Sequence, residues 1–289
     1  MNIRKIKQTD LSRVYEILTA YDLPTEDLES SSLENFWVAE EKGRLIGIAG
    51  MDYYNHIGLV RSLAVDRKLR GNGIGKKLYN AVEEEAWNKG LLRLYLLTTT
   101  AQAYFKELGY EVVERDIAPI PIQRSGQFSE LCPQSAVLMQ KSLNRAQGRR
   151  EFDSGLYCAE SVLAVVAEKY GIQSDLIPGI ATGLCSGMGR TCGTCGALTG
   201  GVLAINLLHG RKAADDSVER NYGAVQELVH GFSELYGTTN CAELLGCDLG
   251  SDTGQSKFTR QKLHRRCREF TGIAADFAIK LIEDAKQKP

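Results

Sequence analysis

The rhythm of hydrophobic and polar positions changes near the middle of the chain. Before about residue 143, short apolar runs bounded by glycine or charged turns alternate with amphipathic stretches, a pattern that predicts strands interleaved with helices. Ile3 to Ile6 reads as a first strand, Asp10 as an N-cap, and Leu11 to Ala20 as a helix with Leu11, Val14, Tyr15 and Leu18 on one side. Phe36 to Glu40 and Arg44 to Met51 read as strands joined by a turn at Lys42-Gly43, and Leu59 to Val65 as a third apolar strand. A helix over Ile74 to Trp87, a strand over Leu92 to Leu97, a helix near Ala101 to Leu108 and a strand entered through Gly109-Tyr110 complete this half. Afterwards the alternation stops. Apolar stripes at 159, 162, 163, 166 and 170, at 222, 225, 229, 232 and 236, and at 263, 267, 270, 274, 277 and 281 have helical spacing. The polar run Asn144 to Arg150 separates the two patterns. The expected organisation is an α/β unit over 1–143, a linker over 144–151 and an all-helical unit over 152–289.

The segment Gly58 to Gly75 brings in chemistry. An apolar strand runs into the charged turn Asp66-Arg67-Lys68, and Arg70-Gly71-Asn72-Gly73-Ile74-Gly75-Lys76 then opens a helix. Amides at a helix start face whatever lies in front of them, and glycine lets a phosphate approach without meeting a Cβ. A nucleotide P-loop does not fit, because Gly75-Lys76 is followed by Lys77 where a metal-binding hydroxyl is needed. A dinucleotide fingerprint fits poorly too, since three strand-like segments precede the glycines.

With its flanking elements, this segment resembles the GNAT acetyltransferases over residues 1 to 143. Arg70, Gly73 and Gly75 match the family's Arg/Gln-x-x-Gly-x-Gly/Ala pattern, which follows the fourth strand and binds the pyrophosphate of acetyl-CoA. The resemblance implies an α/β (α+β) GNAT fold with a mixed central sheet flanked by helices, and backbone at Leu63, Ala64 and Val65 that holds the pantetheine and acetyl oxygen. It also implies a tyrosine that protonates the departing thiolate, four residues before the closing Gly-Phe/Tyr pair. Phe105 occupies that place and Tyr104 precedes it, about 100° away around a helix. No general base stands out among Glu40, Asp52 and His56. Phe36 to Glu40, Arg61 to Val65, Leu96 to Ala101 and Phe128 to Pro133 further resemble the arsenic-resistance N-acetyltransferase subgroup. That resemblance implies a small amine as acceptor, an arsenic-containing amino acid among the candidates.

Composition narrows the setting. With 43% hydrophobic and 25% charged residues in 289, the chain has room for two folded units, and a net charge of −1 argues against nucleic-acid binding. Met1 to Leu18 carries six charged residues and no apolar core of a signal peptide. Thr191 to Gly210 is uncharged, yet its glycines, Asn206 and His209 favour a buried helix over a membrane span. A cytoplasmic location and no membrane partner are expected.

Cysteines are the second chemical signal. Of eight, only Cys132 precedes residue 150. Cys195-Gly196-Ala197-Leu198-Thr199-Gly200 resembles the signature of a family named for its cysteine pattern, C_GCAxxG_C_C, and described as redox-active; the likeness spans about 152 to 284. Its four cysteines map to Cys158, Cys195, Cys241 and Cys267, with Cys247 an alternative for one of the last two. Cys192 adds a C-x-x-C unit. Cys158 and Cys195 fall at helix starts, where a thiolate is favoured and its pKa lowered. The spacing suits a dithiol switch, which implies a thiol-redox partner, or a thiophilic ion such as zinc, with Cys241 and Cys247 as a second pair. Inert packing is the third reading, strongest for Cys267 on its apolar stripe. His209, His230 and His264 are scattered and read as capping or surface residues. Two functions follow as expectations: an acetyl-CoA-dependent N-acetyltransferase coupled to a thiol domain, or a thiol-based redox or metal-binding protein whose first unit is a non-catalytic scaffold. A second copy of the chain is a candidate partner in either case.

Overall fold

A computed structural model describes residues 1–28, 33–143 and 148–287, in two units, Met1–Leu143 and Asn144–Pro289. Of the segment read as linker, residues 144–147 lie outside the described residues. Its remainder is already helical.

The first unit is built on a sheet of seven strands. These are β1 (Asn2–Lys5), β2 (Phe36–Glu41), β3 (Arg44–Tyr54), β4 (Ile57–Val65), β5 (Arg93–Thr98), β6 (Glu111–Val113) and β7 (Val137–Ser142), in the order β1-β2-β3-β4-β5-β7-β6. Only β4 and β5 run parallel; the other neighbours are antiparallel. β7, inserted between β5 and β6, has no counterpart in the sequence reading. The longer helices are α1 (Leu11–Thr19), α2 (Ile74–Asn88) and α3 (Gln102–Glu107). Each sheet face has its own core. Val14 and Leu18 of α1 pack with Phe36, Ile48 and Ala64 on one side, whereas Leu78 and Val82 of α2 pack with Met51, Val60 and Leu94 on the other. Asp10 precedes α1 as expected but does not cap it. Its carboxylate instead accepts from the Lys7 amide at 2.7 Å and pairs with Arg4 at 2.7 Å, because a tight turn over Gln8–Asp10 comes first.

Two irregularities shape the sheet. β4 pairs with β5 only from Ile57–Arg93 to Val60–Leu96, so the two strands part over Arg61 to Val65 and leave that stretch of β4 unpaired on its β5 side. On its other side the register jumps from Gly50–Arg61 to Ile48–Ala64, a bulge that gives β4 one extra residue. Ser62 absorbs it with a left-handed φ of 55°. The alternation of faces shifts at that point: Val60 and Val65 both join the α2-side core, and Ala64 joins the α1-side core.

The second unit is helical: α4 (Gly148–Asp153), α5 (Cys158–Lys169), α6 (Gly196–His209), α7 (Glu219–Tyr236), α8 (Cys241–Leu245), α9 (Asp252–Arg260) and α10 (His264–Gln287). α10 packs against α4, α5, α6 and α7. α6 crosses α5 so closely that a Cβ on Gly200 would lie 2.7 Å from the Ala159 Cα. Among the described residues no helix is long and apolar enough to cross a membrane, and the uncharged run becomes helical only from Gly196. Between α5 and α6, Ser186, Gly187, Met188 and Gly189 all take left-handed angles, with φ of 54, 67, 53 and 67°. Arg190 and Cys192 follow at 72 and 59°. Each non-glycine residue there costs about 1–2 kcal/mol, which the surrounding packing must offset.

Candidate active site and cysteine cavity

A cleft of about 630 Å³ lies where β4 parts from β5. Leu63, Ala64 and Val65 line it, as do Arg70, Gly71, Gly73, Ile74, Gly75 and Lys76 at the start of α2. Gly73 is the α2 N-cap, with φ of 73°, and Gly71 has φ of 83°; a Cβ on either would meet nothing within 4 Å. Both glycines therefore answer a backbone angle rather than a lack of space. Arg70 turns back: its Nε donates to the Val65 carbonyl at 3.3 Å and its guanidinium lies over the Tyr21 ring at 4.7 Å. The Asn72 side chain donates through Nδ2 to the Leu69 carbonyl at 3.2 Å, which stabilises the turn.

Tyr104 also lines this cleft, despite the one-residue offset noted in the sequence. Its hydroxyl sits 3.2 Å from where a Gly75 Cβ would stand, is buried, and has no hydrogen-bond partner among the described residues. Burial, with Glu107 nearby, pushes its pKa upward. Phe105 borders the cleft too but belongs to the core, edge-on to Tyr110 at 5.6 Å.

Beside the parting strands lies a charged group that motif reading missed. The Arg61 side chain is 2% exposed and is held by Asp27 on one side and Asp52, at 3.3 Å, on the other. Gln127 donates to Asp27 at 2.9 Å. Burial opposes the ionised form of Asp27, but Arg61 and Gln127 outweigh it and hold its pKa below the ordinary value. At Asp52 burial wins over Arg61, and the pKa rises. The available signal was one arginine inside the apolar run Leu59 to Val65. Of the other carboxylates considered as bases, Glu40 is paired with Arg4 at 2.7 Å.

In the second unit, Cys158, Cys195, Cys241 and Cys267 line one cavity of about 240 Å³. Its walls include Phe152, Leu249, Phe258 and Phe270, with Arg190 and His264 as polar members. His264 is exposed, as expected of a surface residue, and borders the cavity from the first position of α10. His209 contacts the Ile282 carbonyl at 3.2 Å. Cys192 turns to Asp248, donating to its carboxylate at 3.1 Å, and Cys247 is buried nearby. Cys185, passed over in the sequence, is buried and its thiol donates to the Ala181 carbonyl at 3.6 Å; Cys158 beside it and burial push its pKa up. The expected lowering of the Cys195 pKa does not occur. Burial pushes it up to about 12, and the Ala197 and Leu198 amides offset only part of that. Burial likewise raises Cys241 to about 11 and Cys267 well above its ordinary value. Among the described residues, no group of three or more His, Cys, Asp or Glu side chains is arranged to hold a metal ion.

The mixed seven-stranded sheet, its parting strands and the glycine-led α2 define the GNAT class of fold for the first unit. The sequence patterns of known families agree: residues 2–110 match "Acetyltransferase (GNAT) family" and residues 156–281 match "Putative redox-active protein (C_GCAxxG_C_C)". The chain is therefore a GNAT acetyltransferase domain fused to a C_GCAxxG_C_C domain. It is 32% identical over 93 residues to an "Uncharacterized N-acetyltransferase" of Chlorobaculum tepidum, covering 32% of this chain and 59% of that relative. It is 29% identical over 130 residues to an "Amino-acid acetyltransferase" of Photorhabdus laumondii, covering 42% of this chain and 29% of that one. Among solved structures, N-acetylglutamate synthase of Neisseria gonorrhoeae, complexed with coenzyme A and N-acetyl-glutamate, is similar with 20% identity and a TM-score of 0.45. That match covers 50% of this chain and 35% of the synthase.

Proposed function

We propose that the first unit transfers an acetyl group from acetyl-CoA to a small amine. The observation that carries this reading is the orphaned Tyr104 hydroxyl, buried in the cleft that joins the α2 start to the unpaired stretch of β4. Bound acetyl-CoA would supply an acetyl group activated as a thioester. The residues present fit such a molecule. The first-turn amides of α2 have no acceptor within their own helix and would take the pyrophosphate, with Lys76 beside them. Backbone amides over Leu63 to Val65 would hold the pantetheine and polarise the acetyl oxygen, as free strand amides do for a developing oxyanion. The Tyr104 hydroxyl, kept protonated by burial, would give its proton to the departing sulfur. Asp52, half-buried and raised in pKa beside Arg61, is the carboxylate best placed in chemistry to accept a proton from the amine.

Two relatives carry acetyltransferase names, one of them an amino-acid acetyltransferase, which favours an amino acid or an analogue as acceptor. An arsenic-containing amino acid belongs to that class and rests on the subgroup resemblance alone. In the second unit, the cavity lined by four cysteines supports thiol chemistry. Calorimetry with acetyl-CoA, followed by an acetylation screen over amino acids and their analogues, tests the first reading. Binding in the low micromolar to millimolar range and turnover of at least one amine are expected. No heat of binding would overturn it.

A further inference from the structure

Cys158 and Cys185 stand apart from the other thiols. Gly196 is packed between them: a Cβ there would lie 2.3 Å from the Cys158 sulfur and 3.0 Å from the Cys185 Cα. Only the absent side chain of Gly196 lets the two cysteines approach. The two differ in access. Cys158 lines the 240 Å³ cavity, whereas Cys185 is buried beside it. Cys158 and burial push the Cys185 pKa up, and the Glu160 and Ala159 amides at the start of α5 offset only part of that, so Cys185 stays a thiol until Cys158 has reacted. Immediately after Cys185 comes the left-handed run, and Ser186 and Arg190 from that run line the same cavity. Backbone held in unfavourable angles beside a set of thiols is the kind of strain that fixes a reactive geometry.

The geometry points to a two-cysteine site that reduces a small organic disulfide, with Cys158 as nucleophile and Cys185 as resolving thiol. This deepens the thiol-chemistry reading of the second unit and rests on it. The cavity's size and its phenylalanine and leucine walls suit a low-molecular-weight disulfide rather than a protein chain. In the first step the Cys158 thiolate attacks one sulfur of R–S–S–R. A bond forms between Cys158 and that sulfur, the R–S–S–R bond breaks, and the departing thiolate takes up the proton Cys158 gave up. In the second step the Cys185 thiolate attacks the Cys158 sulfur, and the remaining R–S group leaves with the Cys185 proton. Two protein thiols become one disulfide and the organic disulfide becomes two thiols.

The test uses the reduced full-length chain, bis(2-hydroxyethyl) disulfide as probe, and tryptic mapping. Cleavage after Arg150, Lys169 and Arg190 puts Cys158 and Cys185 on separate peptides, each with one cysteine. The expected product is peptide 151–169 joined to peptide 170–190 with the loss of two hydrogens. Cys185→Ser should stop at one mercaptoethanol adduct on Cys158, and Cys158→Ser should carry neither the link nor that adduct. The wild-type map decides the matter even if a variant folds poorly. A disulfide joining other cysteines, such as Cys195 and Cys241, would overturn the pair while leaving thiol chemistry in the cavity. A chain in which no cysteine reacts with the probe would overturn both.

Discussion

Tyr104→Phe separates catalysis from packing, because the two effects have opposite signs here. The hydroxyl is buried without a partner among the described residues, and an unmade hydrogen bond of that kind costs about 1–3 kcal/mol. Removing it leaves the ring and its edge-on contact with Phe105, at 5.3 Å, in place. The unfolding transition of the first unit should therefore hold or rise, by roughly 4 °C for each kcal/mol relieved in a unit of this size. Turnover should move the other way, since a positioned proton donor contributes on the order of 10²–10⁴ in rate. A loss of about 100-fold in kcat with unchanged acetyl-CoA affinity is expected. Burial keeps the hydroxyl protonated, so the wild-type rate should show no alkaline limb from this group below about pH 10. Initial rates followed by thioester absorbance, with the acceptor found by screening, give the first readout. Thermal denaturation and calorimetry give the others. An unchanged kcat would falsify Tyr104 as the proton donor, and a fall in the transition temperature would show that its hydroxyl has a native partner.

Gly73→Asp forces a side chain into φ of 73°, at about 1–2 kcal/mol, and sets a carboxylate where the pyrophosphate should lie. Acetyl-CoA affinity measured by calorimetry should fall by roughly tenfold or more. Arg61→Met leaves Asp27 and Asp52 without their shared cation and should cost about 3 kcal/mol in denaturant melts, the low end for such a loss because each carboxylate side chain keeps about 20% exposure. The pH dependence gives a sign to check. Asp27, lowered in the wild type, contributes stability above its ordinary value that is lost on acidification, whereas raised Asp52 costs stability that acidification restores. Without Arg61 both carboxylates favour protonation, so the variant should recover stability between about pH 7 and 5 relative to wild type. In the second unit, Cys195 near 12 and Cys241 near 11 hold about 10⁻⁴ and 10⁻³ thiolate at pH 8, against roughly 0.2 for an ordinary thiol. Iodoacetamide labelling of these two should lag that of the unfolded chain a hundredfold or more; equal rates would contradict their burial. Because their folded values lie above the unfolded one, the stability they give is complete below about pH 8.5 and is lost as pH rises through 11 to 12.

What the sequence disclosed was local. The apolar run Leu59 to Val65, the glycine turn and the start of α2 are contiguous, so strand, turn and helix announce themselves and bring most of the cleft lining with them. The facing of Tyr104 was not readable, because α3 begins only at Gln102 and a helix that short is set by tertiary packing. Arg61 was hidden for another reason: Asp27 and Gln127 lie far from it in the chain and meet it only after the sheet assembles. In the second unit, the helices and the cavity-lining Cys158, Cys195, Cys241 and Cys267 follow from spacing and signature. Cys185 did not, because its importance comes from Gly196 and the left-handed run, and periodicity carries no sign of either. Helix position also misled at Cys195, where burial outweighs the amides of the first turn.

The bulge at Ser62 has a bearing on how this molecule can change. Strand residues normally tolerate exchange one at a time, since each keeps its own side of the sheet. Ser62 is different, because it is the extra residue that breaks the alternation and bends the strand beside the cleft. Deleting it would leave Ala64 opposite Ile48 and Val65 opposite Gly47 in unbroken alternation, but would straighten β4 and change how the amides of Leu63 to Val65 face the cleft. The extra residue thus serves the cleft rather than the core, and variants of this domain that keep the cleft should differ there in letters but not in length.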